Sequence, residues 1–180
     1  MNAFWAYFWP IFGAGLTIGV ATGLAGFRAP RARPKDREAA IHRWNRRRRI
    51  VLACGIALAL AAAALWHGPL GAANRFTAQV ERDARATLDF YLPQVRAELR
   101  HGPLTRQLIL TGPADDFQRS ELVRTMETLP GVSGATWSNS GGGTPLIAEG
   151  EGTSLLGFLI GLVLAYLVEL RRRYNAQWNW

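Results

Sequence analysis

The chain is 180 residues long, and setting aside roughly 60 residues apolar enough for a membrane leaves length for one soluble domain and no more. Its formal charge of +8 is local: residues 28–49 carry ten basic and two acidic side chains, whereas residues 67–153 carry eight and ten. A nucleic-acid-binding face is argued against because the basic segment has only Trp44 for base stacking, and the lone Cys54 excludes both a disulfide framework and a Cys-based zinc site.

The first predicted element is Phe4–Phe27, an uncharged run long enough to cross ~30 Å of hydrocarbon at ~1.5 Å per residue. Met1-Asn2-Ala3-Phe4-Trp5 places no Lys or Arg before that run, so it reads as a retained helix and not as a cleaved signal peptide. Residues 28–49 follow as a basic loop: Arg28, Arg31, Arg33, Lys35, Arg37, Arg43, Arg46, Arg47, Arg48 and Arg49 against Asp36 and Glu38. Short loops this rich in basic residues stay on the cytoplasmic side. Ile50–Trp66 is the second span and Cys54 lies inside it as a small packing residue. Arginine outnumbers lysine twenty to one, which no folding rule demands and which a GC-rich bacterial genome produces.

Between residues 76 and 138 the periodicity changes in an orderly way. Phe76, Val80, Ala84 and Leu88 recur at helical spacing until Pro93. Val95, Ala97 and Leu99 alternate with polar residues as a strand, and His101-Gly102-Pro103 is a turn. Gln107–Thr111 forms a second strand, closed by Gly112-Pro113. Asp115 with Gln118 reads as a helix cap with its return bond, ahead of the stripe Leu122, Val123, Met126 and Leu129. Pro130-Gly131 stops that helix and Val132–Ser138 offers a last short strand. The order α-β-β-α-β predicts a small α+β sandwich with two helices on one sheet face.

The run Leu108-Ile109-Leu110-Thr111-Gly112, the Asp-led helix and Leu129-Pro130-Gly131-Val132 together resemble the BON domain of bacterial envelope proteins, over about a third of the chain. The family often has Gly-Val before its second strand, where this chain has Pro103-Leu104-Thr105-Arg106. The resemblance implies a non-catalytic module associated with phospholipid or the cell envelope.

No catalytic, cofactor or metal site is expected. Asp115 and Asp116 serve a helix start as cap and dipole partner. His101 has no metal-ligand spacing around it, and His42 and His67 flank the second span on opposite sides. Ser133, Ser138 and Ser140 lack a nucleophile elbow. Gly141-Gly142-Gly143 belongs to a Gly/Ser-rich tether, Ser138–Ser154, and opens no amphipathic helix as a phosphate loop would.

The third span, Leu155–Leu170 with Ser154 available to lengthen it, ends at Arg171, Arg172 and Arg173. Both basic clusters predict the same topology: N-terminus outside, residues 67–153 outside, and the tail 171–180 inside a bacterial inner membrane. Trp5, Trp9 and Trp66 supply aromatic anchors at the outer face, and Tyr174, Trp178 and Trp180 at the inner face. Glu169 stands four residues before Arg173, the spacing of an interfacial ion pair, and no charged residue in the other spans offers it a proton relay.

Small residues recur at four-residue spacing in every span: Gly15, Gly19 and Gly23; Gly55, Ala59 and Ala63; Gly157 and Gly161. Such a stripe lets a neighbouring backbone approach closely, either within the chain or from a partner. The sequence-based expectation is a three-span α-helical membrane protein with a periplasmic BON-like module (67–153, core 76–138), acting as a scaffold or envelope-association factor. The alternative role is an accessory subunit docking through its glycine-lined helices. Expected partners are membrane lipids and other membrane or envelope proteins, with self-association open, no nucleic acid and no cofactor. Arg46–Arg49 and Arg171–Arg173 are expected to set topology or meet lipid headgroups.

Overall fold

The computed structural model describes residues 2–28, 37–138 and 142–178. Expectations placed on Arg31, Arg33, Lys35, Ser140, Gly141 and Trp180 lie outside them. The described residues form five helices and three strands: α1 (Ala3–Phe27), α2 (Arg37–His67), α3 (Ala72–Tyr91), β1 (Arg96–His101), β2 (Leu104–Thr111), α4 (Asp116–Glu127), β3 (Gly134–Thr136) and α5 (Leu146–Trp178). Helices α1, α2 and α5 are each long and apolar enough to cross a membrane, as the three hydropathic runs predict. Two compact units divide the chain: the N-terminal residues to Trp9 with Leu65–Gly150, and Pro10–Ala64 with Glu151 onward.

The first unit holds the α+β sandwich. Strands β1 and β2 pair antiparallel, with Leu99 opposite Leu108 and Ala97 opposite Leu110. Strand β3 pairs parallel to β2, giving the sheet order β1-β2-β3. The faces separate by strand alternation: Leu99, Leu108 and Leu110 are fully buried, while Glu98 and Thr111 are exposed. The core face is covered by Val80, Ala84 and Leu88 of α3, which packs on β1, and by Leu122 and Met126 of α4, which packs on β3. At the start of α4 the Asp115 side chain accepts from the Gln118 N–H at 2.7 Å while the Gln118 Oε1 accepts from the Asp115 N–H at 3.1 Å, the predicted cap and return bond. Gly112 connects β2 to α4 at φ 136, and a Cβ there would lie 2.8 Å from the Gln94 carbonyl oxygen, so both conformation and space require glycine.

The second unit is a three-helix bundle of Pro10–Phe27 in α1, the α2 residues up to Ala64, and α5 from Glu151 onward. Ser154 is fully buried and its hydroxyl donates to the Ala59 carbonyl at 2.9 Å, tying α5 to α2. Ala59 and Ala63 of α2 and Phe158 and Ala165 of α5 are buried as well. A Cβ on Gly55 would lie 2.5 Å from the Thr22 hydroxyl oxygen, so α2 approaches α1 at that glycine.

Three sequence boundaries need correction. The segment read as a basic loop to residue 49 is helical from Arg37, because residues 37–49 contain no Gly or Pro and are rich in good helix formers such as Arg and Ala. The tether read to Ser154 is likewise helical from Leu146. Gly150 and Gly152 each disfavour helix by ~1 kcal/mol, but Leu146 is wholly buried and holds the first turn. The predicted helix from Phe76 begins at Ala72, directly after Gly71, whose φ of 68 turns the chain out of α2.

Candidate functional site

The glycines singled out by spacing meet within the chain. A Cβ on Gly15 would collide with the Ser154 carbonyl oxygen, and one on Gly19 with that of Phe158. From the other side, a Cβ on Gly157 would strike the Phe12 carbonyl oxygen and one on Gly161 that of Leu16. Gly23 completes the row, with space only for the Ala165 methyl group 2.5 Å from where its own Cβ would stand. Helices α1 and α5 therefore run backbone against backbone, the close approach that small residues four apart permit.

The basic residues divide. Arg46, Arg47 and Arg49 of α2 are exposed, as are Arg171 and Arg172 of α5. Arg48 and Arg173 instead share a small cleft of about 130 Å³ with Phe27, Trp44, Tyr166, Glu169 and Leu170. The Arg48 guanidinium lies 5.3 Å from the Phe27 ring centre and 5.7 Å from that of Trp44, and its stem passes Gly26 at 3.8 Å from a hypothetical Cβ. Trp44 is held by its indole N–H, which donates to the Arg28 carbonyl at 3.0 Å. Arg173 forms the expected i, i+4 ion pair with Glu169 at 3.1 Å and donates from Nη2 to the Phe27 carbonyl at 2.9 Å, closing the C-terminal end of α1. Arg172 reaches the same carboxylate at 4.0 Å.

In the first unit, sequence reasoning missed a cluster around the start of α1. Tyr7 is buried, its hydroxyl 2.7 Å from His67 Nδ1 and 3.5 Å from the Leu146 carbonyl that it donates to. The Trp66 indole N–H donates to the Tyr7 carbonyl at 3.1 Å, and the Phe76 ring lies 5.6 Å from the Tyr7 ring. Beside them Arg106 Nε sits 2.7 Å from Glu149 Oε2, with the guanidinium over Phe4 at 5.4 Å. One sequence signal was available: Arg106 shares the inward parity of Leu108 and Leu110, so its charge needed a partner. Tyr7 gave none, being one ring among several in an apolar run.

The opposite sheet face stays partly open. Gly143 and Pro145 cover Thr105, which pairs with Pro145 in an isolated bridge. Beyond them Glu98, Arg100, His101, Ile109, Thr111 and Trp137 line a groove of about 570 Å³. Trp137 is fixed in place by its N–H, which donates to the Arg119 carbonyl at 3.1 Å, and by the Arg119 guanidinium 5.4 Å from its ring. His101 is drawn toward Glu81, 3.7 Å away, whose carboxylate also accepts the Leu99 N–H at 3.0 Å. Asp115 and Asp116 sit at the start of α4, and among the described residues no three His, Cys, Asp or Glu side chains gather where they could hold a metal.

Comparison with family models, with curated proteins and with solved structures gives no match.

Proposed function

We propose that the chain is a non-catalytic, multi-pass protein of a bacterial inner membrane that presents its α+β module in the periplasm as an envelope-association scaffold, in the manner implied by the resemblance to BON domains. The observation that carries this reading is the sheet face that the described residues leave partly open. Two helices cover one side of a three-stranded sheet, and the other side offers a mixed groove lined by Trp137 and Ile109 together with the charged Glu98 and Arg100. A pocket of apolar and aromatic side chains with a few polar ones suits ligand or partner capture. Support for this reading over docking into a larger complex through glycine faces comes from the filled seam of Gly15, Gly19, Gly157 and Gly161.

Orientation is tested with a reporter active only in the periplasm. It is expected to work when inserted at Gly142 and to stay silent at Pro34 or after Trp180, and the reverse pattern overturns the localisation. The role is tested in cells with a photo-cross-linking residue at Thr111 in the groove or at Arg124, an exposed position on α4. Adducts to envelope components at Thr111 and not at Arg124 support the scaffold; equal yields at both positions remove the groove from the account.

A further inference from the structure

Arg48 carries the most informative imbalance of charge in the molecule. Arg48 is half-buried with its guanidinium against two aromatic rings, and among the described residues no carboxylate forms an ion pair with it. Every other charged group lining the same cleft is accounted for: Glu169 is paired with Arg173, which also caps α1 through the Phe27 carbonyl. Among the described residues the lining has two guanidinium groups, of Arg48 and Arg173, against the one carboxylate of Glu169, an excess of positive charge that suits an anion. The Phe27 and Trp44 rings hold the Arg48 guanidinium by cation–π contact at 5.3 and 5.7 Å, and a guanidinium can bind a phosphate through its N–H edge. Tyr166 and Leu170 line the cleft as well, are half-exposed, and are suited to an acyl chain.

We infer that this cleft is a binding site for one anionic phospholipid, its phosphodiester held by Arg48 and its first acyl carbons laid on Tyr166 and Leu170. The inference rests on the membrane reading above and deepens it. Basic pockets between membrane helices take headgroups in this way, and a free phosphate shares the charge chemistry but not the apolar wall. Arg46, Arg47 and Arg49 stay outside the cleft and contribute diffuse attraction only.

The test uses the full chain purified in mild detergent, with phosphatidylglycerol, phosphatidylcholine and inorganic phosphate as probes and native mass spectrometry as the readout. One phosphatidylglycerol is expected to be retained per chain, in clear preference to phosphatidylcholine. Arg48→Gln should weaken retention about tenfold, the size of one lost charge-assisted hydrogen bond, while Arg47→Gln, which removes the same charge one residue away, should change it less than about twofold. Arg48→Lys keeps the charge without the planar fork and should fall between them. Equal losses in Arg47→Gln and Arg48→Gln would reduce the site to general electrostatics and overturn the inference, as would no preference between the two lipids. Displacement of the lipid by millimolar inorganic phosphate would overturn the choice of a lipid as occupant. A separate alkaline carbonate wash tests the underlying reading: release of the chain from membranes would defeat both, whereas retention with unselective binding defeats the site alone.

Discussion

At the scale of single residues, the seam between α1 and α5 makes the sharpest demand. Where a Cβ on Gly19 would meet the Phe158 carbonyl, a branched side chain cannot be absorbed by rotating a flexible neighbour, since the obstacle is backbone. Gly19→Ile is expected to destabilise the chain by about 3 kcal/mol or more, the upper end of overpacking costs, read as a lowered melting temperature in detergent and as degradation in cells. Gly13→Ile is the control: nothing lies within 4 Å of its added Cβ, and its melting temperature should stay close to the parent's. Arg106 and Glu149 set a second demand. About a fifth of each side chain meets solvent, so breaking the pair should cost less than the ~3–5 kcal/mol of a fully buried one, roughly 1–3 kcal/mol for Arg106→Met. Replacing both, as Arg106→Met with Glu149→Gln, should recover part of that loss, and a double-mutant cycle measured by thermal melting tests the coupling. A cycle in which the two losses simply add would show that the pair carries no specific energy.

At the scale of elements, the cap of α4 is the simplest to isolate. Asp115→Ala removes the acceptor of the Gln118 N–H and should cost about 1 kcal/mol, seen as a small shift in melting temperature without loss of helix elsewhere. This cap, the strand alternation and the three apolar runs were legible because each rests on local spacing. Two of the three corrected helix starts, those of α2 and α5, show where such reading stops. Ten basic residues between two spans look the same on paper whether they sit in a loop or along a solvated helix, and α2 from Arg37 is the second case. Around Leu146, glycines and serines argued for a tether, yet the first turn of α5 is held by contacts from residues far away in sequence. In the proposed topology the exposed Arg46, Arg47 and Arg49 work with Arg48 to keep this end of α2 inside. Changing all four to Gln should therefore disturb insertion, scored as altered protease protection of the module in membrane vesicles. Unaltered protection with loss of an associated protein would point instead to a docking role for that helix.

For the whole molecule, the division into units differs from the division into spans and loops. Tyr7 lies in the first turns of α1, one of the three helices long and apolar enough to cross a membrane, and those turns belong to the same compact unit as the sandwich. An excised fragment of residues 67–153, the boundary that hydropathy suggests, lacks the ring that fills the space between His67, Phe76 and Leu146. That fragment should unfold with lower cooperativity than the module within the full chain, measured by circular dichroism on heating. Full-strength cooperative melting of the fragment would show that Tyr7 is a passenger. The candidate site was less legible than the fold for the same reason. Arg48 was found in a run of four arginines, and only the placement of Phe27 and Trp44 around it separates it from its neighbours.

The hydroxyl of Tyr7 and the carbonyl of Leu146 are 139 positions apart in the chain. During synthesis the ribosome delivers the tyrosine first and Leu146 139 residues later, so this contact forms only after the start of α5 has emerged. Through that interval the inward-facing Arg106 lacks its Glu149 carboxylate and Tyr7 lacks the Leu146 carbonyl, the kind of incomplete intermediate on which chaperones and membrane proteases act. Contacts of such long range are also slow to form, because the intervening chain must be ordered before they are made. A nascent chain arrested before Leu146 lacks that contact and is expected to be degraded faster than one extended past the start of α5, measured by pulse-chase.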